Sequence, residues 1–465
     1  MIEKLALGIF IFVKKSIFDD INLLSFTKIL NFHFWKDICY TQMMKLKFFI
    51  VTLLFFCLQK SNALVYENRV YAPFIKTVQF FPQGADMAMP ILNMNLNDKL
   101  ELHFDDLSNK PKNYYYTVIQ CHSDWTPTTM NAMEYIEGLT EANINDYDYS
   151  NGTRVPYIHY RLTFPNNDMQ LNRSGNYVLI VYESNKENPI FVRRFMIAES
   201  KVIIDAGIAY PRSLYKRDQF QEVVFKVNYK GFNIDNPQME IKATVLQNYR
   251  WDNAKSDIKP QFIGMNELNF DYNGVLTFPT AGREFRFFDM RSLRFRGQNI
   301  RAFDIRDDEN EVYLLFDKPH QRDNYQMTRD LNGQYYIENL DNPYYNTGAD
   351  YANVHFNFDF NGKLSQGNFY VIGSFNNWIC DSSSLLYYDA LDKSYTTSIL
   401  LKQGTYNYTY VLKDEKEKIF DSFTTESYYM DTENDYTILL YYTPFGERYD
   451  RLIAIKHLNS LLNKW

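Results

Sequence analysis

Apolar residues, mostly aromatic, recur at every second position in several stretches of this sequence. The stretch Phe356–Phe360 reads FNFDF, Tyr406–Tyr410 reads YNYTY, and Leu100–Asp105 reads LELHFD. Successive side chains of a β-strand point to opposite faces, so a period of two predicts strands with one packed face and one face toward solvent. The chain contains 38 Tyr and 37 Phe, and both residue types favour half-buried pleated surfaces. The alternation therefore predicts an all-β fold.

Two further patterns refine this prediction. The continuous apolar run Tyr177–Tyr182 (YVLIVY) predicts a strand that is buried on both faces. Glycine after Asn or Ser supplies the positive φ that tight turns need. Hairpin connections are therefore predicted at Ser174–Asn176, Asn273–Gly274, Asn332–Gly333 and Asn361–Gly362.

The chain divides into three units where its pattern changes. One shift lies near residue 200 and another near residue 345, which gives predicted domains at residues 64–200, 201–345 and 346–465. Each has the size of an ordinary domain. We expect mainly antiparallel β-sandwiches of the immunoglobulin-like or early-set-like kind. Short helices are predicted only within residues 131–144 and 451–465.

The stretch that begins at Met43 has the order of a secretory signal peptide. Lys45 and Lys47 precede an apolar run over Phe48–Leu58, and Ser61–Ala63 is a small-x-small cleavage pattern. The apolar run is shorter than the roughly 20 residues that a spanning helix needs. Residues 43–63 are therefore predicted to be a signal peptide, and no stable membrane span is expected.

Residues 1–42 precede this signal and contain neither a cleavage pattern nor an apolar run of spanning length. The simplest interpretation is that translation starts at Met43 or Met44 rather than at Met1. Residues 1–42 would then be an upstream extension outside the natural protein. Sequencing the N-terminus of the natural protein distinguishes these starts.

The chain is acidic. It has 49 Lys and Arg against 56 Asp and Glu, a net charge of −7, and residues 1–63 hold eight of the lysines but only four of the acidic residues. The exported part is therefore still more acidic. This argues against general binding to nucleic acid, because such binders need clustered Lys and Arg.

Two of the four cysteines lie in residues 1–63, here called the leader, which leaves Cys121 and Cys380. A disulfide scaffold is excluded, while a single bridge between these two stays open. An apolar core must therefore hold the fold together.

The motifs of common enzyme classes are missing. The patterns HExxH, GxSxG, CxxC and GxxxxGK[ST] do not occur. The stretch CHSDWTPTTM brings Cys121, His122 and Asp124 close in sequence, but neighbouring strand residues point to opposite faces, so His122 would not serve Cys121 as a base. Pro127 ends the strand, so the interpretation is a buried Cys121 followed by a structured loop. We predict no catalytic residue and no enzyme.

The sequence also lacks the patterns that are typical of metal sites. The acidic stretch 304–311 lacks the glycine and terminal glutamate of an EF-hand, which favours a solvated loop, and Asp330–Gly333 is explained by a turn. No two histidines after residue 63 have ligand-like spacing in the sequence, although a metal or triad site assembled from distant residues stays open. No metal or other cofactor is predicted. These histidines are His103, His122, His159, His320, His355 and His457.

The stretch YVIGSFNNW, residues 370–378, resembles the G-x-F-N-x-W turn of early-set sandwich domains related to glycogen-binding modules. Such modules stack sugar rings on exposed aromatic faces, so Trp378 could supply one platform. The alternative is that Phe375 and Trp378 pack a corner of a sandwich. A periplasmic or secreted carbohydrate-binding protein is therefore the second hypothesis for function.

Twelve stretches between about Pro73 and Ile453 together resemble the type IX secretion system plug protein family. They occur in this order: PFIKTVQFFPQGADMAMPILNMN, LELHFDDLSN, YYYTVIQCHSDW, YRLTFPNND, LNRSGNYVLIVYE, FVRRFMIAE, LQNYRWDNA, AGREFRFFDMRSLR, GADYANVHF, YVIGSFNNW, KQGTYNYTY and GERYDRLI. The resemblance implies a periplasmic, non-enzymatic protein on the inner side of the outer membrane. It implies that this protein occludes the periplasmic opening of an outer-membrane translocon barrel, its expected partner.

The resemblance assigns no binding residue. Two of its stretches hold arginine and tryptophan side chains that suit an interface but could equally join domains internally. The binding site therefore stays unknown from the sequence. These side chains are Arg250, Trp251, Arg283, Arg286, Arg291 and Arg294.

Overall fold

The strands predicted from the alternating pattern are present in the structure, a computed structural model. The described residues are 66–94, 96–213, 215, 217–271, 274, 276–279, 283–307, 309–320, 325–360, 362–414, 420–421 and 423–465. The predicted extension, the signal peptide and two of the turn asparagines, Asn273 and Asn361, lie outside them. The all-β, mainly antiparallel fold is confirmed.

The strands of the described residues are numbered in chain order. The first group is β1 Arg69–Val70, β2 Ile75–Pro82, β3 Ile91–Asn93, β4 Leu100–Asp106, β5 Tyr114–Cys121, β6 Ile136–Gly138, β7 Glu141–Ile144, β8 Asp146–Tyr149, β9 Ile158–Phe164, β10 Met169–Leu171, β11 Gly175–Tyr182 and β12 Phe191–Ala198. The second group is β13 Ile203–Ala209, β14 Phe220–Asn228, β15 Ile241–Gln247, β16 Arg250–Ile258, β17 Phe262–Gly264, β18 Glu267–Asn269 and β19 Thr277–Pro279.

The remaining strands complete the described chain. They are β20 Arg286–Asp289, β21 Ile300–Ile305, β22 Asn310–Leu314, β23 Tyr335–Ile337, β24 Tyr351–Phe358, β25 Asn368–Ile372, β26 Tyr387–Asp389, β27 Ser394–Lys402, β28 Gly404–Lys413, β29 Phe420–Asp421, β30 Asp435–Tyr442 and β31 Arg451–Asn459. The short helices are α1 Pro237–Glu240, α2 Tyr345–Gly348 and α3 Phe423–Glu426, with 3₁₀ turns at Ala132–Glu134 and Ser374–Asn376. None of these described helices has the length and apolar character needed to cross a membrane.

The first core lies between the sheet β2-β4-β9-β8 and strands β5, β11 and β12. Phe104 of β4 stacks on Tyr160 and meets Phe191 edge-to-face, with both centroid separations 5.0 Å. Every residue of β11 is buried, so the prediction from the run Tyr177–Tyr182 is confirmed. Burial of each large apolar side chain contributes about 1.5–3 kcal/mol to folding.

A ten-stranded sheet joins the first core to the second. Its order is β16-β15-β30-β31-β12-β11-β5-β7, with β1 and β3 also paired to β12. The joint is a short parallel contact in which Ala198 of β12 pairs with Leu452 of β31. Strands from both ends of the described chain therefore belong to one hydrogen-bonded sheet.

The second core lies between β15, β30 and β31 of that sheet and a sheet of order β13-β14-β18-β17 with β19 beside β14. The helix predicted within residues 451–465 is wrong, because Arg451–Asn459 pairs with β30 from one end to the other. Pairing buries Ile453 and Leu458 in the core. Long-range strand pairing therefore overrides the local helical pattern.

The third core lies between strands β20, β23, β25 and β28 and the sheet β21-β22-β24-β27-β26. The stretch Tyr406–Tyr410 lies in β28, as predicted, but its polar face does not meet solvent. Asn407 is 1% exposed and Thr409 is 6% exposed. The reason is that Val411, on the same face, packs in a separate cluster with Trp378.

The division into domains at residues 200 and 345 stays a prediction. Hydrogen-bonded strands cross both positions: β31 pairs with β12, β30 with β15, and β28 with β20. The second core is built from residues 202–278 together with residues 430–458, and the third core from residues between them in the chain.

The predicted turns have mixed outcomes. Residues Ser174–Asn176 do not connect a hairpin, because β10 pairs with β6 while β11 pairs with β5 and β12. Gly175 has φ +116°, and a Cβ atom there would lie 2.5 Å from the carbonyl oxygen of Asp450. Glycine therefore permits close approach of the first core to the loop before β31. Asn332–Gly333 forms a turn that leads into β23, but it is not the predicted hairpin, because β23 pairs with β28 and not with the preceding strand β22.

The short helix predicted within residues 131–144 is present as the 3₁₀ turn Ala132–Glu134. Asn131 begins it with a capping box: its side chain accepts a hydrogen bond from Met133 N (3.1 Å), while Glu134 accepts one from Asn131 N (2.7 Å). The sequence pattern was therefore sufficient for this element.

Candidate functional site: the cleft between the cores

A cleft of about 510 Å³ opens where strands of the three cores meet. Its walls include Phe80 and Arg193 from the first core, Trp251 from β16, and Tyr335 and Trp378 from the segment that forms the third core. Two stretches singled out from the sequence, LQNYRWDNA and YVIGSFNNW, therefore come together in space. The chemistry of this cleft depends on what their side chains contact.

Arginine and tryptophan side chains form two separate groups of contacts beside the cleft. The guanidinium carbon of Arg250 lies 4.2 Å from the ring centroid of Trp378. The centroids of Trp125 and Trp251 are 4.8 Å apart, edge-to-face, and Arg194 lies over both at 4.4 Å and 5.3 Å. Each such contact contributes about 0.5–2 kcal/mol. Arg250 and Trp251 therefore act as internal joints between the cores.

Trp378 offers no exposed platform for a sugar ring. Its side chain is 9% exposed, Arg250 covers the ring, and Phe285 packs against its edge at a centroid separation of 5.6 Å. The indole also packs directly on Gly333, where a Cβ atom would lie 2.3 Å from it. Phe375 packs on the third core. The prediction that Phe375 and Trp378 pack a sandwich corner is confirmed.

The stretch CHSDW is a strand end and a structured loop. Cys121 ends β5 and its Sγ donates a weak hydrogen bond to Ile119 O of its own strand (3.8 Å). The imidazole of His122 faces Asp450 instead (3.7 Å), and Asp124 accepts hydrogen bonds from within the loop. Cys121 and His122 are therefore not arranged as nucleophile and base. This agrees with the prediction from the sequence that His122 would not serve Cys121.

The cysteines that follow the leader are both free thiols. Burial raises the pKa of Cys121 and of Cys380 to about 12 each. A thiol with such a raised pKa is a poor nucleophile at neutral pH. The bridge that the sequence left open does not form.

The second arginine-rich stretch is also largely internal. Arg286 is buried and donates from Nε to both carboxylate oxygens of Glu426 (2.9 Å and 3.1 Å) and from Nη1 to Asp317 (2.9 Å). Arg291 pairs with Glu338 (2.9 Å). For these two residues the internal role is confirmed. Their charges hold strands and loops of the third core together.

Arg283 and Arg294 differ from those two. Arg283 is half-buried and lies 6.0 Å from the ring of Tyr429. Arg294 is exposed, in the loop between β20 and β21. Only Arg294 among the singled-out arginines presents its side chain fully to solvent.

A buried ion pair links the first and third cores. Lys402 Nζ donates to Asp105 Oδ2 (2.7 Å), and both side chains are 1% exposed. Tyr351 donates to the same oxygen (2.6 Å), and His159 Nδ1 lies 2.6 Å from Asp105 Oδ1. The other ring nitrogen of His159 is 3.0 Å from His103 Nδ1. Three side chains from the two cores thus contact one carboxylate, and His103 is linked to it through His159.

The charge of Asp105 is stabilised despite its burial. Burial by itself raises the pKa of this carboxyl, but the Lys402 ammonium and the hydrogen bond from His159 outweigh it, so the pKa lies below the ordinary value. No sequence pattern predicts this cluster, since Asp105 sits on the face of β4 for which the alternation predicts contact with solvent. Its lysine partner is 297 positions away.

His103 makes the stability of this contact between the first and third cores depend on pH. Burial, followed by the charge of His159, lowers the pKa of His103 to about 4, below the value of about 6.5 in an unfolded chain. Between these values the unfolded chain binds a proton that the folded chain does not, so stability falls as pH falls. We expect a loss on the order of 3 kcal/mol from this group between about pH 7 and pH 4.

Equilibrium urea unfolding at several pH values measures this loss. The variant His103→Gln should show a shallower dependence than wild type in that range. An unchanged slope in H103Q would show that other groups account for the acid sensitivity.

Where the structure describes them, the acidic stretches do not assemble a metal site. Among the described residues, no group of three or more His, Cys, Asp or Glu side chains is placed to hold a metal ion. Arg306 pairs with Asp304 (2.6 Å). Asp330 accepts a hydrogen bond from Asn332 N (2.8 Å), as expected for a turn. These carboxylates are thus engaged with neighbouring groups of the chain.

Comparisons with known proteins identify relatives of this chain. A family model described as "Type 9 secretion system plug protein 1st domain" matches residues 75–199, which build the first core. The crystal structure of a hypothetical protein from Parabacteroides merdae ATCC 43184 is 32% identical, with a TM-score of 0.81. The match covers 85% of this chain and 100% of that one. No curated protein matches the chain.

Two other solved structures align poorly. The C-terminal domain of the Streptococcus pyogenes antigen I/II-family protein AspA aligns over 82% of this chain and 98% of its own, with 8% identity and a TM-score of 0.14. Dimeric latent PorU from Porphyromonas gingivalis aligns over 83% of this chain and 34% of its own, with 8% identity and a TM-score of 0.15.

Proposed function

Because this chain belongs to the type IX secretion system plug protein family, we propose that it occludes the periplasmic opening of the outer-membrane translocon barrel of that system. Membership of the family is the observation that carries the proposal. The protein would act while the pore has no substrate-loaded shuttle attached, and it would leave when a shuttle engages. Its role would be to prevent leakage through an otherwise open channel.

The proposal assigns the protein to the periplasm and gives it no enzymatic activity. Support comes from the signal peptide predicted at residues 43–63 and from the side chains that could suggest chemistry. Cys121 is buried away from His122, and Trp378 is covered by Arg250. Trp378 therefore packs between cores. A protein that occludes a pore requires a shape that fits the opening and a reversible contact surface. Neither of these depends on a catalytic side chain.

Rigidity supports the same role. The ten-stranded sheet joins the first and second cores, and the Asp105–Lys402 pair and the arginine–tryptophan contacts join both to the third. A protein that closes a pore must keep its shape while solute concentrations differ between the two sides of the membrane. Hydrogen-bonded strands and buried ion pairs between cores resist relative movement because separation would leave charges and peptide groups unpaired.

Isolation of the translocon from native cells tests the proposal. We expect the protein to copurify with the translocon when no shuttle is bound and to be absent from the shuttle-bound form. Deletion of its gene should raise the permeability of the outer membrane to a polar antibiotic, and the full chain should restore the barrier.

Two results would count against the plug. Consistent absence from both forms of the translocon would remove the proposal. Copurification with unchanged permeability after deletion would point to an assembly factor that binds the translocon without closing it.

A further inference from the structure

An exposed basic and aromatic surface lies at one edge of the third core. We define the basic-aromatic surface by six side chains, all exposed, from the loop after β20, from β21 and from the segment after β22. Phe295 is 75% exposed, Leu315 is 49% exposed and Phe316 is 44% exposed. The six residues are Arg294, Phe295, Arg296, Arg301, Leu315 and Phe316.

Hydrogen bonds and a ring contact connect the loop after β20, strand β21 and the segment after β22. Arg296 Nη1 donates to Arg301 O (3.0 Å), and Leu315 N donates to Asn299 O (3.0 Å). The guanidinium carbon of Arg301 lies 4.9 Å from the ring centroid of Phe316. The surface is therefore ordered before any partner arrives, which lowers the entropic cost of binding.

The three arginines of this surface carry uncompensated charge. In the part of the chain that the structure describes, none of them has a carboxylate within 4.0 Å, whereas Arg306 at the far end of the same β21–β22 pair contacts Asp304 and Glu309. The carboxylate of Asp341, beside the loop, accepts a hydrogen bond from Ser292 (3.0 Å). The positive charge is therefore available to a partner.

We propose that the basic-aromatic surface binds an acidic segment of a protein partner, and that this segment belongs to the translocon; the second clause rests on the proposed function. Carboxylates of the segment would pair with Arg294, Arg296 and Arg301, since arginine binds carboxylates through two parallel hydrogen bonds. An apolar residue of the segment would pack against Phe295 and Phe316. Arginine and aromatic residues dominate the binding energy of protein interfaces.

Charge favours a narrow acidic segment over a broad anionic surface. The whole chain has a net charge of −7, so an anionic membrane or a nucleic acid would be repelled by most of the protein. An acidic segment a few residues wide meets only the local positive charge, because other charges beyond about 10 Å are largely screened at physiological salt. The outer position of β21 in its sheet also leaves room for an extended segment alongside.

Charge reversal tests this surface with the full chain. The variant Arg294→Glu with Arg301→Glu is compared with wild type for binding to detergent-purified translocon immobilised on a sensor. We expect at least about tenfold weaker binding, with a difference that shrinks as salt increases. The variant Lys110→Glu with Lys186→Glu makes the same change of charge at exposed sites in the first 200 residues and should bind like wild type.

The outcomes separate this proposal from the proposed function. If wild type does not bind the translocon, both fail together. If wild type binds and the R294E/R301E variant, with unchanged circular dichroism, binds equally well, only the basic-aromatic surface is overturned. Arginine-dependent binding to vesicles of phosphatidylglycerol, equal to that to the translocon, would also overturn it in favour of a lipid surface.

Discussion

Replacing Lys402 by Met is expected to lower the free energy of unfolding by about 3–5 kcal/mol. The ammonium lies 2.7 Å from Asp105 Oδ2 and both side chains are 1% exposed, so the substitution leaves a buried carboxylate without its cation. The pair also joins the first core to the third, and its loss should loosen their contact. Urea unfolding measures the change, and limited proteolysis of the chain reports the loosening.

The double variant and a matched control identify the cause. Asp105→Asn added to Lys402→Met should recover part of the lost stability, because the unpaired charge disappears. Lys186→Met removes an exposed lysine that pairs with Glu141 at 2.8 Å and should cost less than about 1 kcal/mol. Equal losses for K402M and K186M would contradict the assignment of Lys402 to a buried joint.

Trp378→Ala is expected to destabilise the chain by about 3–5 kcal/mol. The indole is 9% exposed and packs on Phe285, Gly333 and Arg250, so its removal leaves a cavity between cores and uncovers the arginine. The thermal midpoint and the urea midpoint should both fall.

The same variant examines the carbohydrate hypothesis. Tyr387→Ala removes an aromatic ring that is 61% exposed and should change stability little, which makes it the matched control. Neither wild type nor either variant should be retained on an immobilised glucan. Retention of wild type that W378A loses without a drop in stability would reverse the structural assignment of Trp378.

Much of the fold could be predicted because strand formation follows a local pattern. The alternation in LELHFD and FNFDF predicted β4 and β24, the apolar run YVLIVY predicted a strand buried on both faces, and CHSDW was correctly interpreted as a strand end. A period of two and the choice of aromatic residues depend only on neighbours along the chain. The helix predicted within residues 451–465 shows the limit of such local patterns. Arg451–Asn459 is a strand because it pairs with β30, and this pairing is not visible in the local pattern.

The site was harder to predict, because a polar face can be covered by a segment far along the chain. The alternation predicted that Asp105 of β4 and Asn407 of β28 face solvent, yet each is at most 1% exposed. The pattern of one strand gives its period but carries no information about what packs above its polar side. Likewise, Arg250 and Trp251 were equally compatible with an outer interface and an inner joint.

Local chemistry thus accounts for the strands, the acidic charge and the predicted export signal, and the ordered run of family-like stretches pointed to the plug family from residues alone. Packing between distant segments accounts for the rest: Lys402 reaches Asp105 across 297 positions, β31 completes a sheet begun by the N-terminal strands, and Arg294 alone of the singled-out arginines stays exposed. The physical reason is that burial and ion pairing depend on the three-dimensional neighbours of a side chain, which the order of residues along one strand does not contain.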